Sequence, residues 1–168
     1  MKSTSLKSKD ILSLLPNKYP FIMIDHVNKI LPGKSAQGYK TITTNDWFFQ
    51  NISETNKIIP QSIQLECLEE MLIISMKSKK EFRNLATRFI SAESKFYNNI
   101  SPGNQLDLYT KVNYYARGIL KGSGYSKINN KIICEANMVV SFPEIINKYL
   151  PFSLFFNGVN FSPIPSPS

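Results

Sequence analysis

Histidine is almost absent from this 168-residue chain: His26 is the only one, and cysteine occurs only at Cys67 and Cys134. The two thiols lie far apart in sequence among apolar neighbours, without a CxxC partner or a nearby imidazole. That inventory argues against a His/Cys metal centre and against a Cys/His nucleophile, and predicts two buried free thiols. Neither a metal nor an organic cofactor is expected. Long apolar runs are missing too. None approaches the ~20 residues of a membrane-spanning helix, and the opening Met1–Lys7 has no apolar stretch of the kind a secretory signal needs. Arginine is scarce: only three of the 20 basic residues are Arg, the rest Lys. With 12 acidic residues the formal net charge is +8, which favours acidic partners. Base and phosphate recognition leans on the bidentate fork of Arg, and no RNP, zinc-finger or helix-turn-helix signature is present, so nucleic acid is set aside. The expectation is a soluble, cytoplasmic protein without a membrane span.

What is present is an ordinary globular composition, 42% hydrophobic and 19% charged, on a chain long enough for one domain with a real core. Asp10–Leu15 reads as one or two helical turns stopped by Pro16. Phe21–Leu31 has the β-branched enrichment of a strand closed by Pro32-Gly33, and Ser35–Thr43 is its returning partner. Pro60 opens the main helix, about Gln61–Ser78, with apolar residues on two adjoining faces, the pattern of a buried helix. Strands follow at about 85–96, 104–117, 118–127 and 131–142. In the last, Ile132, Cys134, Ala136, Met138, Val140 and Phe142 alternate with polar positions, the period of a half-buried strand. Ile128-Asn129-Asn130-Lys131 is predicted to be a tight hairpin turn, because Asn tolerates positive φ. One long apolar helix with five or six strands indicates an α+β domain over residues 1–142, followed by a Pro-, Ser- and Phe-rich tail at 143–168.

Three stretches carry a resemblance. Leu15-Pro16-Asn17-Lys18-Tyr19-Pro20-Phe21-Ile22-Met23-Ile24-Asp25 resembles the L-P-H-R-Y-P-F-L-L-V-D opening of the β-hydroxyacyl-[acyl carrier protein] dehydratases of the FabZ type. Phe48-Phe49-Gln50, an eight-residue loop, Ile59-Pro60 and Leu65-Glu66 resemble that family's F-F-Q-G-H-F-P-G-x-P-V-M-P-G-x-L-x-x-E-A, and Pro102-Gly103-Asn104-Gln105-Leu106 its P-G-D-Q-L. The resemblance implies a hotdog fold, an antiparallel sheet wrapped around a long central helix. It implies a homodimer or higher oligomer with sites between subunits, and acyl carrier protein or acyl-CoA as partner in fatty-acid or polyketide-type biosynthesis.

It also implies a catalytic His at position 52, where this chain has Ile52. The flanking glycines become Asn51 and Thr55, the Phe-Pro becomes Ser53-Glu54, the Gly opening the helix becomes Gln61, and the Gln after the acidic residue becomes Glu70. The acidic partner is kept as Glu66. Dehydration needs a base for the α-proton and an acid for the departing hydroxyl, and a hydrocarbon side chain supplies neither; losing such a group costs on the order of 10²–10⁴ in rate. Glu66 is thus the candidate catalytic residue, and Phe49, Asn51, Ile59, Pro60 and Gln61 the candidate substrate-binding residues, the amide of Gln61 as an oxyanion donor. Glu66, Glu69 and Glu70 share one side of the helix. That side either reaches solvent or an interface, or holds a carboxylate of raised pKa among apolar walls. His26 reads as a surface or edge-strand residue. Three functions fit: an acyl-thioester-binding protein without ordinary dehydratase chemistry, possible company for an active dehydratase; a thioesterase using Glu66; and a dehydratase with a displaced catalyst.

Overall fold

The computed structural model describes residues 4–6, 8–15, 20–53 and 57–149. Asn17, Glu54, Thr55 and the tail from residue 150 onward lie outside the described residues.

The central helix is the element around which the others are placed. Pro60, with φ −57° and ψ 139°, sits just before it, and α2 runs over Gln61–Lys77, where every residue from Cys67 onward is buried. A helix apolar almost all round must be covered on most sides, and the cover is a seven-stranded antiparallel sheet. Its strands are β1 (Thr4–Leu6), β2 (His26–Leu31), β3 (Ser35–Thr41), β4 (Arg88–Phe96), β5 (Gln105–Ala116), β6 (Ile119–Ile128) and β7 (Lys131–Ser141). They lie in the order β1-β2-β3-β5-β6-β7-β4, so the chain passes along α2 to reach the far edge before filling the middle. The sheet curled on one long helix is the hotdog arrangement. A short helix α1 (Ser8–Leu14) lies between β1 and β2 in the chain, and α3 (Pro143–Ile146) follows the last strand.

Local chemistry explains several joints. The hairpin between β6 and β7 turns on Asn129 (φ 48°) and Asn130 (φ 65°), with Ile128 paired to Lys131. This is the two-residue turn whose positive φ values Asn accommodates. Cys134, Ala136, Met138, Val140 and Phe142 are buried, but Ile132, expected on the same face, is exposed and Ile133 is buried instead, because the pairing of β7 with β6 shifts register between Ser126 and Lys127. Both cysteines are buried and free. Pro32-Gly33 docks on the helix end, with the Gly33 amide donating to the Ser75 carbonyl at 2.7 Å.

Two differences from the sequence pattern have physical causes. The strand expected from Phe21 begins only at His26. The residues before it turn towards α2, which satisfies the backbone of Met23, whereas the Asp25 amide still donates to the Tyr39 carbonyl at 3.1 Å. The Met23 amide donates to Glu70 Oε2 at 2.8 Å, and the Met23 carbonyl faces Cys67 Sγ at 3.8 Å. The seventh strand, β1, is the three residues Thr-Ser-Leu and pairs with β2 (Thr4↔Ile30, Leu6↔Val27). It is too short to show a period.

Where β2 bulges between Val27 and Lys29, β3 comes close. A Cβ placed on Gly38 would collide with the His26 carbonyl oxygen and the end of Met71. Backbone cannot yield as a side chain can, so Gly38→Ala is expected to destabilise the fold by about 1–3 kcal/mol, read as a lower urea midpoint with an unchanged m-value. At Gly103 an added Cβ meets nothing within 4 Å, but φ 91° strains any residue with a side chain, so that position reports backbone strain and not collision.

Candidate active site

Glu66 lies on the first half of α2 and is partly exposed. The helical spacing of Ser62, Ile63 and Glu66 puts them on one side, and the segment before β2 brings Phe21 and Met23 against them. Together with Trp47, from the 3₁₀ turn Trp47–Phe49, they line a cleft of about 390 Å³. Phe21 and Trp47 meet edge to face at 5.4 Å. The cleft is therefore apolar-walled, with a carboxylate, a hydroxyl and an indole as its polar groups. The indole is the unusual one: Trp47 Nε1 is enclosed with no hydrogen-bond acceptor among the described residues. A buried donor left unpaired costs about 1–3 kcal/mol.

The other sequence candidates are placed differently. Phe49 and Ile59 belong to the core, at 2% and 1% exposure. Ile59 is fixed by its amide donating to the Ile100 carbonyl at 2.9 Å. Pro60 is exposed, and its carbonyl accepts from the amides of Ile63 and Gln64. Gln61 is exposed at the helix start and lines a separate hollow with Phe96, Tyr97, Asn98 and Asn99. Asn51 keeps φ 64°, a conformation that glycine takes freely and Asn tolerates, so that the backbone at this position retains a glycine-like form. Ile52 is exposed, its amide donating to the Phe49 carbonyl at 3.2 Å, and it is not among the residues lining the Glu66 cleft. His26 starts β2 with its ring 5.7 Å from that of Tyr39, also outside the cleft. Sequence reasoning missed Phe21, Met23, Trp47, Ser62 and Ile63. The i, i+3, i+4 relation to Glu66 was a sufficient signal for Ser62 and Ile63; nothing local marked the other three.

Of the neighbouring carboxylates, Glu70 is enclosed at 1% exposure and Glu69 is mostly covered at 9%. Glu70 holds the Met23 amide. Glu69 has its pKa raised from 4.5 to about 8, first by burial and then by the charges of Glu66 and Glu70. A carboxyl that keeps its proton at neutral pH thus lies one helical turn from Glu66. Folded Glu69 holds that proton up to about pH 8, whereas an unfolded carboxyl releases it near 4.5. Between these values the folded state binds more protons, so this group's contribution is complete below 4.5 and disappears as pH rises through about 8. The urea midpoint of the wild type is expected to fall across that interval more steeply than that of Glu69→Gln. Equal slopes would show that Glu69 titrates normally.

Comparison with known proteins places this geometry. The FabA-like domain model matches residues 15–137. A 3-hydroxyacyl-[acyl-carrier-protein] dehydratase FabZ of Bacillus licheniformis is 31% identical over 140 residues, covering 83% of this chain and 97% of that protein. The FabZ of Clostridium tetani is 31% identical over 132 residues, 78% of this chain and 93% of its own. Among solved structures, the dehydratase heterocomplex ApeI:P from Xenorhabdus doucetiae superposes with a TM-score of 0.68 at 11% identity, over 84% of this chain and 97% of that one. Cj0977, a sigma28-regulated virulence protein from Campylobacter jejuni, gives 0.62 at 13% identity, over 80% and 88%. The solved structures share the fold, and the family model with the sequence relatives shows the family: the chain belongs to the FabA-like family of hotdog proteins, the family of the FabZ dehydratases.

Proposed function

We propose that this protein binds acyl thioesters, carried on acyl carrier protein or coenzyme A, in the cleft beside Glu66, and that it lacks ordinary 3-hydroxyacyl dehydratase chemistry. The observation carrying this reading is the pairing of a retained acidic residue in an apolar-walled cleft with a hydrocarbon, Ile52, at the position where the resemblance calls for a catalytic imidazole. Glu66 alone has no second group at position 52 with which to divide proton removal and proton delivery. The working domain is residues 1–142. Acyl carrier proteins are acidic, which suits the net charge of +8. The pathway implied by family membership is fatty-acid or polyketide-type biosynthesis, in the cytoplasm.

A second reading, hydrolysis of the thioester by Glu66, is favoured by one observation: the proton held on Glu69 one turn away. The two readings separate on turnover. With a purified 3-hydroxyacyl thioester, the wild type is expected to give no enoyl product above the Glu66→Gln background and no free acid. Dehydration within about tenfold of a His-containing relative would mean that another residue has replaced the imidazole, since loss of one proton-transfer group costs at least about a hundredfold. Glu66-dependent release of free acid would establish the hydrolase.

We also infer a homodimer or larger assembly. Among the described residues β4 ends the sheet with an unpaired edge and exposes Phe89 and Ile90, and an exposed apolar edge strand is a template for pairing. Sedimentation at micromolar concentration is expected to give a species at least twice the monomer mass. A monodisperse monomer would refute this.

A further inference from the structure

The positive charge of the described residues is gathered at one end of the molecule, where α2 stops. Lys79, Lys80 and Arg83 follow the helix, and Lys34 lies on the β2–β3 turn, whose Gly33 amide donates to the Ser75 carbonyl. Arg117 occupies the β5–β6 turn, Arg88 opens β4, and Lys148 follows α3. Packing holds these elements together. The Phe82 ring meets Tyr115 at 5.1 Å and Phe142 at 5.3 Å, and the Ala86 amide donates to the Glu144 carboxylate at 2.9 Å. The Phe142 amide donates to the Gly118 carbonyl at 2.7 Å, which ties the Arg117 turn to the start of α3. All three arginines of the sequence are at this end, and each is exposed. Seven cations stand here against two carboxylates, Glu81 and Glu144, with Lys77 buried. Over the other described residues nine lysines are matched by nine Asp and Glu. Lys77, the last residue of α2, is roughly 16 Å along the helix from Glu66, so this basic end is separate from the cleft.

The same end carries the chain onward. Tyr149, 60% exposed with the Arg117 guanidinium 5.8 Å from its ring, is the last described residue. The sequence that follows, residues 150–168, has no charged side chain, and Leu150, Phe152, Leu154, Phe155, Phe156 and Phe161 fall within its first part. A cationic surface with an uncharged aromatic segment leading from it supplies the two signals that hold a protein on a bilayer. One is attraction to anionic headgroups, the other burial of apolar side chains at the interface. Guanidinium forks suit the phosphate of a headgroup. An acidic protein accounts for the cations and leaves the phenylalanines unexplained.

We propose that this end of the molecule docks on an anionic lipid bilayer, its cations meeting the headgroup phosphates while the aromatic residues of 150–161 enter the interface beside them. Exposed Tyr149 lies where these two parts meet, as amphipathic rings do at headgroup level. The docking surface does not depend on what the Glu66 cleft holds.

The experiment mixes the full chain with vesicles of phosphatidylcholine alone, or of equal parts phosphatidylcholine and phosphatidylglycerol, and measures the fraction that sediments with lipid. Expected are binding to the anionic vesicles that weakens as salt is raised, and little binding to the neutral ones. Lys80→Glu with Arg83→Glu reverses two exposed charges and should weaken anionic-vesicle binding at least about tenfold, whereas Lys80→Arg leaves it unchanged. Phe155→Ser with Phe156→Ser, in the uncharged segment, should weaken it by about tenfold while the salt dependence remains. Circular dichroism of each pair checks that the fold is kept, and the salt series tests the charges without any substitution. Equal binding to both kinds of vesicle, or binding to neither, would overturn the proposal. So would anionic-vesicle binding that both substituted pairs leave intact. An acidic carrier protein bound by the wild type and lost in the Lys80/Arg83 pair, with no vesicle binding, would assign this end to a protein partner and overturn the bilayer.

Discussion

A hydrogen bond of 2.8 Å from the Met23 amide to the buried carboxylate oxygen of Glu70 decides where the chain goes before its first long strand. Met23 would otherwise continue the β2 ladder, and Phe21 and Met23 would be far from the helix. With the bond made, the segment packs on α2 and supplies one wall of the Glu66 cleft, and Trp47 packs on Phe21. The bond is enforced from both sides. An amide enclosed without an acceptor and a carboxyl enclosed without a donor each cost more than the bond itself returns. Cys67 at the neighbouring helical position faces the carbonyl of the same residue. Its thiol is pushed well up by burial and then by Glu70, which keeps it out of nucleophilic chemistry.

The same helix divides its acidic residues by environment. Glu70 is fixed in place as a backbone acceptor, Glu69 is driven towards the protonated form, and Glu66 lies partly exposed at the cleft. Three carboxylates within one turn thus occupy three different surroundings, as expected where burial and like charge separate the titrations of otherwise identical groups. A hydrocarbon at position 52 beside a retained acid at position 66 is the combination that separates binding from dehydration in the proposed function.

Much of the fold was legible in the sequence because its signals are periodic or conformationally specific. The alternation of β7 from Cys134 onward and the two asparagines of its hairpin read directly, and so did the helix apolar on nearly all faces, whereas the register shift that exposes Ile132 left no mark in the sequence. The three-residue β1 is too short to carry such a signal. The β-branched run from Phe21 looked like continuous strand, because the acceptor that diverts it, Glu70, lies 47 residues away. Of the residues lining the candidate cleft, only Glu66 was singled out by the sequence. A composition-based reading sends Glu69 and Glu70 to solvent or an interface, and only the path of the segment before β2 encloses them. Phe49 and Ile59 were read as binding residues because they flank the loop, yet their side chains fill the core of this chain. Trp47 became visible as part of the site only through its neighbours in space.

The central claim is that an acyl thioester sits beside Glu66 and stays intact. A carbonyl-labelled ¹³C spectrum of a 3-hydroxyacyl-pantetheine thioester in the presence of excess protein tests it in one sample, since the bound thioester, the conjugated enoyl thioester and the free carboxylate have separate resonances. The account predicts a carbonyl resonance displaced from that of the free thioester, persisting for hours, and returning to the free position when Ile63→Trp fills the cleft. Growth of the conjugated carbonyl signal would contradict the loss of dehydration, and a resonance unmoved by the protein would contradict binding itself.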